Sequence, residues 1–201
     1  MTPTHEQATE LFKRTSDFKT LLDVLHEDLL RTATDARDTD DHYHRRAYVR
    51  SVFAYVEGTL SGTDRFILDS LELGAAEALG WALTPEEVQK LSDNLQLPRS
   101  DGKRPRFLMV EPHVKLVVGI GERLFGSLQM RFEGGEWQDF QQAVKTRNRT
   151  IHPKRAADLQ LSDEEMQQVD RARDWYRFGM QRWLMGALAA YKTLVGKRSQ
   201  A

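Results

Sequence analysis

Lys145-Thr146-Arg147-Asn148-Arg149-Thr150-Ile151-His152-Pro153-Lys154 closes one helical pattern and leads into the last part of the chain. Just upstream and within it, Trp137, Phe140, Val144 and Ile151 fall at helical spacing, which predicts a helix from Glu136 to about His152 with these side chains inward. Proline disfavours helical geometry at the residue before it, so His152 is expected at or just beyond the helix end. Five cations, Lys145, Arg147, Arg149, Lys154 and Arg155, lie within eleven residues, and no acid stands among them.

Helical signals continue outward on both sides. Downstream, Ser162-Asp163-Glu164-Glu165 has capping-box form. Val169, Tyr176, Met180, Trp183, Ala187, Tyr191 and Leu194 then make a stripe that predicts a closing helix to about Val195, with Gly196 to Ala201 as a frayed tail. At the other end, Thr4-His5-Glu6-Gln7 is a second capping box, and Leu11, Phe18, Leu22, Leu25 and Leu29 predict a long helix to Thr34. The polar stretch from Thr34 to Asp41 lacks periodicity and reads as a linker. Tyr43 to Leu60 is expected to be helical, with Val49, Phe53, Val56 and Leu60 inward. Ser61-Gly62-Thr63 is expected to break that helix before it resumes over Asp64 to Leu79.

Thr84-Pro85-Glu86-Glu87 combines a cap, proline at the first helical position and acids at the positive helix end, so a short helix should run to about Asn94. Leu95 to Val110 contains Pro98, Gly102 and Pro105 together with Arg99, Lys103, Arg104 and Arg106. It reads as a basic loop insertion with a short extended piece at Phe107 to Val110. Glu111 to Leu128 returns to helix, and Gly134-Gly135 marks a turn. Gly119, Gly121 and Gly126 fit no phosphate-loop spacing. The fold class is all-α, a bundle of long antiparallel helices in a single domain.

Composition narrows the function. The 201 residues are 40% apolar and 29% charged, and the formal net charge is −1. Such a chain suits a globular protein with no global basic field, so attraction to a polyanion must come from local patches. Without cysteine there is no disulfide, thiolate metal site or cysteine nucleophile. The N-terminus shows no basic region followed by an apolar one, and Trp183 to Val195 is too short to span a bilayer, so a cytoplasmic protein without a membrane partner is expected.

The chemistry of the basic window comes from three residue types. Asn148 and His152 are four apart and share a face while the helix lasts. Arg147 lies about 140° round from His152 on an ideal helix at ~100° per residue, so fraying or a second copy of the site is needed to unite them. Histidine exchanges protons near neutral pH. An arginine fork matches phosphate oxygens, and an amide orients a hydroxyl. This set suits RNA cleavage through the 2′-hydroxyl with charge building on phosphate. It also suits an ordinary helix cap, because cations favour helix C-termini.

The run Arg147-Asn148-x-x-x-His152, late in an all-α chain and followed by a closing helix, resembles the signature of the HEPN superfamily. Tyr48-Val49-Arg50-Ser51 leading to Glu57 resembles that family's early helix, where an acid can lie near the motif arginine. The resemblance implies a metal-independent endoribonuclease without a cofactor, of the kind found in toxin–antitoxin, phage-defence and CRISPR-associated systems. It implies Arg147 and His152 as the catalytic pair, Asn148 as a supporting polar residue and Glu57 as orienting one of them. It further implies a homodimer with a composite active site, and an antitoxin or regulatory protein as a further partner. Lys154 departs from those toxin members that carry a modifiable tyrosine two positions after the histidine. Other members are catalytically silent modules that bind nucleic acid or a partner protein.

Lys145, Arg149, Lys154, Arg155 and Arg50 are the candidate RNA-binding cations, with Arg45 and Arg46 as an extension that could equally pair with the linker acids. His42 and His44 beside Asp40 and Asp41 are the only metal-like grouping, and a solvated helix start is the better reading of them. His26 and His113 read as isolated. Trp81, Trp137, Trp175 and Trp183 sit at apolar helical positions and read as packing residues.

Overall fold

The computed structural model describes residues 3–39, 41–99 and 101–198, apart from the side chains of 5 and 194–198. Among them every regular element is helical, with no strand: α1 (His5–Thr39), α2 (His42–Glu72), α3 (Ala75–Ala78), α4 (Pro85–Asn94), α5 (Val110–Phe125), α6 (Gly135–Ile151) and α7 (Asp163–Arg198), with a 3-10 turn at Ala156–Leu159. The side chain of Leu194 and residues 199–201 of the expected tail lie outside the described residues; at 196–198 the backbone is helical.

Packing divides the chain into two compact units. One takes Met1–Thr20, Thr59–Leu128 and Met180–Ala201, the other Leu21–Gly58 and Gln129–Gly179. Each of the three long helices, α1, α2 and α7, supplies part of both units.

One expected interruption is shorter than read and another is absent. The stretch read as a linker from Thr34 is helical to Thr39. There Thr34 and Thr39 donate their hydroxyls to the carbonyls of Leu30 and Asp35, one turn back, at 3.1 and 2.7 Å. Hydroxyls that often compete with helix are satisfied inside it. Likewise Ser61-Gly62-Thr63 does not break α2, which is continuous to Glu72. A Cβ on Gly62 would lie 1.9 Å from the Phe18 ring, so the glycine lets α1 and α2 approach closely. Tertiary contact outweighs the roughly 1 kcal/mol that glycine costs a helix relative to alanine.

The second unit is built on aromatic packing. Val49, Phe53 and Val56 of α2 are buried, as expected of its inward face, and so is Val52. Trp137, Phe140, Ala143 and Val144 of α6 are buried too, while Ile151 is only half-buried. The Trp137 and Phe140 rings stack at 5.4 Å and 13°, and Trp175 of α7 tilts against both. Tyr176, fully buried, donates its hydroxyl to the Val56 carbonyl at 3.1 Å. Such ring contacts add roughly 0.5–1.5 kcal/mol each beyond the area they bury.

In the first unit, Trp183 meets Phe66 and Phe125 edge-on at 5.8 and 5.2 Å. Three of the four tryptophans are buried and Trp81 is half-buried against Phe66 and Phe125, in keeping with packing roles. The Thr84 capping box forms as expected, with Glu87 N–H donating to Thr84 Oγ1 at 3.2 Å. Between Asn94 and Val110 the described residues form a loop without the expected extended piece pairing as a strand. The loop is tied at both ends: Arg99 bonds Asp93 at 2.8 Å and Asp101 at 3.1 Å, and Leu108 N–H donates to Asn94 Oδ1 at 2.9 Å. The Arg99 hydrogen bonds hold the Asp101 carboxyl down at about 2.

Candidate functional site

The site is assembled in the second unit from α2 and the end of α6. The burial pattern of α6 points Thr146 and Thr150 into the core and leaves Lys145 exposed, with Arg147, Asn148 and Arg149 half-buried. The Thr150 hydroxyl donates to the Arg147 carbonyl at 2.9 Å. Helical hydrogen bonding ends with His152 N–H donating to the Asn148 carbonyl at 3.0 Å. His152 itself has φ −121° and ψ 59°, outside helical geometry, as expected before Pro153. Its side chain is exposed and makes no hydrogen bond among the described residues.

Arg147 is held on two sides. One terminal nitrogen, Nη2, donates to Glu57 Oε1 at 2.7 Å, and the other, Nη1, donates to Asn148 Oδ1 at 3.0 Å. The guanidinium is 24% and the carboxylate 42% exposed, so the pair stands at the boundary between core and solvent. Each bond uses one of two hydrogens on its nitrogen, leaving one on each for a further acceptor. The Nε–H is buried with no acceptor among the described residues.

The expected RNA-binding cations divide into two sorts. Lys145, Lys154 and Arg50 are exposed, and their side chains make no ion pair among the described residues. Arg149 instead joins Glu165 of α7 at 2.5 Å. Arg155, 80% exposed, leans on Asp158 at 3.3 Å. The backbone N–H of Lys154, the largest cause, and those side-chain and backbone bonds of Arg155 hold the Asp158 carboxyl below its ordinary value. Arg45 and Arg46 are engaged structurally: Arg45 bonds the Leu161 carbonyl at 2.8 Å and Asp163 at 2.6 Å, and Arg46 bonds the Leu159 carbonyl at 2.7 Å. They tie the start of α2 to the segment after the motif.

The histidine–aspartate grouping at the start of α2 is also structural. His44 bonds Asp41 through its ring at 2.7 Å and its N–H at 2.9 Å, while His42 Nδ1 accepts the Leu161 N–H at 3.1 Å. Asp40 lies outside the described residues.

Two polar clusters escaped the sequence reading. In the first unit, His113 is not isolated: its Nε2 lies 2.8 Å from Asp64 Oδ2, which Asn94 also approaches at 3.2 Å. Asp64 is fully buried, and burial raises its pKa against the lowering pull of His113 and Asn94. In the second unit, buried Tyr48 donates to Asp170 and accepts from Arg173 beside a pocket of about 210 Å³. Burial and Asp170 push the Tyr48 phenol up. Neither cluster has a sequence signature, because the partners stand 49 and 122 residues apart.

No family model, curated protein or solved structure matches this chain. What the site can do follows from its own atoms. An anchored guanidinium with N–H groups to spare is a receptor for a phosphate or carboxylate. An exposed imidazole five residues later along the chain supplies a proton acceptor and donor. Among the described residues no three His, Asp or Glu side chains cluster to hold a metal, and no helix is long and apolar enough to cross a membrane.

Proposed function

We propose that the chain is a metal-independent endoribonuclease whose reacting groups are Arg147, Asn148 and His152, with Glu57 as the residue that positions Arg147. The observation that carries this reading is the Arg147–Glu57 contact at 2.7 Å. A basic helix cap needs no acid from another helix, and a cap role would leave the arginine turned to its own carbonyls. Instead its terminal nitrogens are fixed by Glu57 and Asn148, which keeps the fork pre-oriented for a phosphate.

In the proposed step His152 takes the proton of a ribose 2′-hydroxyl, and that oxygen attacks the adjacent phosphorus. The bond from phosphorus to the 5′ oxygen breaks. The leaving oxygen gains a proton from solvent or from His152 of a second copy. The products are a 2′,3′-cyclic phosphate and a free 5′-hydroxyl. Arg147 N–H groups stabilise the charge that gathers on the non-bridging oxygens, where pre-placed donors are worth most. DNA lacks the attacking hydroxyl and is spared. A homodimer with two motifs lining one cleft would supply the second histidine, and a bacterial toxin–antitoxin or phage-defence setting with a regulatory partner follows from the HEPN resemblance.

Incubating a mixed RNA pool in EDTA with the unaltered protein, Arg147→Ala and His152→Ala tests this. Cleavage with cyclic phosphate ends, lost in both folded variants, is expected. RNA binding without cleavage by the unaltered protein would favour the second reading, a silent HEPN-type module, which the exposed cations Lys145, Lys154 and Arg50 also suit.

A further inference from the structure

The solvent face of α2 carries a line of side chains that the cleavage step does not use. Tyr43, Arg50 and Ala54 are exposed, at intervals of seven and four residues, and Glu57 continues the same face. At ~100° per residue these four positions fall within about 60° of one another. Tyr43 is 67% exposed, unlike the buried tryptophans of the core. Among the described residues its ring contact is with the edge of His44, at 5.2 Å and 90°. Arg50 makes no ion pair among the described residues, whereas Arg45 and Arg46 on the same helix are bonded to Leu161, Asp163 and Leu159. From His42 to Val56 there is no acid. Ala54, between Arg50 and Glu57 along this face, is exposed and projects only a methyl group.

We infer that this face is a track for unpaired RNA, in which Tyr43 stacks on a base, Arg50 pairs with a phosphate and Arg147 receives the phosphate to be cleaved. It rests on the ribonuclease reading and adds to it Tyr43 and Arg50 as the residues that hold the strand beyond the cleaved bond. Tyr43 and Glu57 are fourteen positions apart, about 21 Å along a helix, a span that a dinucleotide does not reach. An aromatic face stacks on any base but only when the base is free of a duplex, and a lone cation beside it follows the backbone. Tyr43 also distinguishes this track from a generic basic patch, which would bind a duplex at least as well through charge alone.

Fluorescence anisotropy of a labelled dodecanucleotide RNA, free or annealed to its complement, tests the track in the His152→Ala background, where the strand stays intact. The free strand should bind more tightly than the duplex. Tyr43→Ala should weaken its binding by about tenfold and Tyr43→Phe should not, since loss of one base–aromatic stack has about that effect. Arg50→Ala should flatten the dependence of log affinity on log salt by about 0.7. In the otherwise unaltered protein, Tyr43→Ala should slow cleavage of the dodecanucleotide but leave that of a dinucleotide unchanged. RNA that is bound and cleaved without regard to Tyr43 overturns the track and leaves the ribonuclease standing. Tyr43-dependent binding of the free strand without cleavage by the unaltered protein supports the track and removes the ribonuclease. Absence of any RNA binding removes both.

Discussion

Arg147 of α6 donates to Glu57 of α2 at 2.7 Å, joining two helices through residues 90 positions apart. Exposed pairs of this kind contribute about 0–1 kcal/mol to folding, so its stabilising role is small and its geometric role larger. Glu57→Ala should leave the melting temperature within a few degrees of the parent and lower RNA cleavage by up to about 100-fold, as expected when a reacting group is misplaced by about an ångström. Glu57→Gln, which keeps an acceptor, should recover part of that loss. Equal cleavage by Glu57→Ala and the parent would show that Arg147 needs no positioning partner.

Arg147→Ala should reduce turnover by about 100- to 1000-fold, the scale seen when one donor to a developing oxyanion is removed. Arg147→Lys should not restore it, because an ammonium cannot make the fork contacts to Asn148, Glu57 and phosphate together. Single-turnover kinetics on a defined RNA decide this.

His152 is exposed, so His152→Ala should change the unfolding free energy by less than about 0.5 kcal/mol. Loss of a general acid–base group should cost about 100- to 10,000-fold in rate. A variant that is both unstable and inactive would instead point to a structural role for the histidine. Urea unfolding and cleavage are therefore measured on the same preparation.

Asp64 yields a pH prediction of definite sign. Its folded-state pKa is raised above the ordinary 3.8, chiefly by burial. Above 3.8 the folded state therefore holds a proton that the unfolded chain has released, and stability contributed by Asp64 falls as pH rises through the folded value. Asp64→Asn cannot titrate and should lack this fall. Urea unfolding across a pH series should show the parent losing stability relative to Asp64→Asn as pH climbs from 3.8. A relative gain as pH climbs toward 3.8 from below would mean that His113, at 2.8 Å, outweighs burial.

Gly121→Ala and Gly179→Ala should separate rigid from yielding neighbours. A Cβ at Gly121 would lie 2.3 Å from Trp183 Cδ1, and Trp183 is fully buried. The clash should cost about 1–3 kcal/mol, more than the helix propensity that alanine adds. A Cβ at Gly179 would lie 2.0 Å from the sulfur and 2.3 Å from Cγ of buried Met130, an unbranched chain more adaptable than an indole ring. Thermal melts should show a clear drop for the first and little change for the second.

The sequence by itself determined the helical class, the inward faces of α2 and α6, the Thr84 cap and the end of α6 at His152. These are local quantities: periodicity, hydroxyl caps and the steric effect of Pro153 act over one or two turns, so they can be read without knowing the fold. It also marked Glu57, beside the apolar stripe of α2, as an acid that could await a basic partner, and only resemblance to a family pattern pointed to Arg147 or His152 as that partner. Tertiary structure alone decided the rest. Gly62 reads as a breaker until the Phe18 ring is found against it, and Thr34 to Thr39 reads as a linker until its hydroxyls are seen turned back on the helix. His113 reads as solitary until Asp64 is placed beneath it, and Arg149 reads as free until Glu165 meets it. Packing distance and charge pairing depend on which surfaces meet, and sequence separation carries no measure of that.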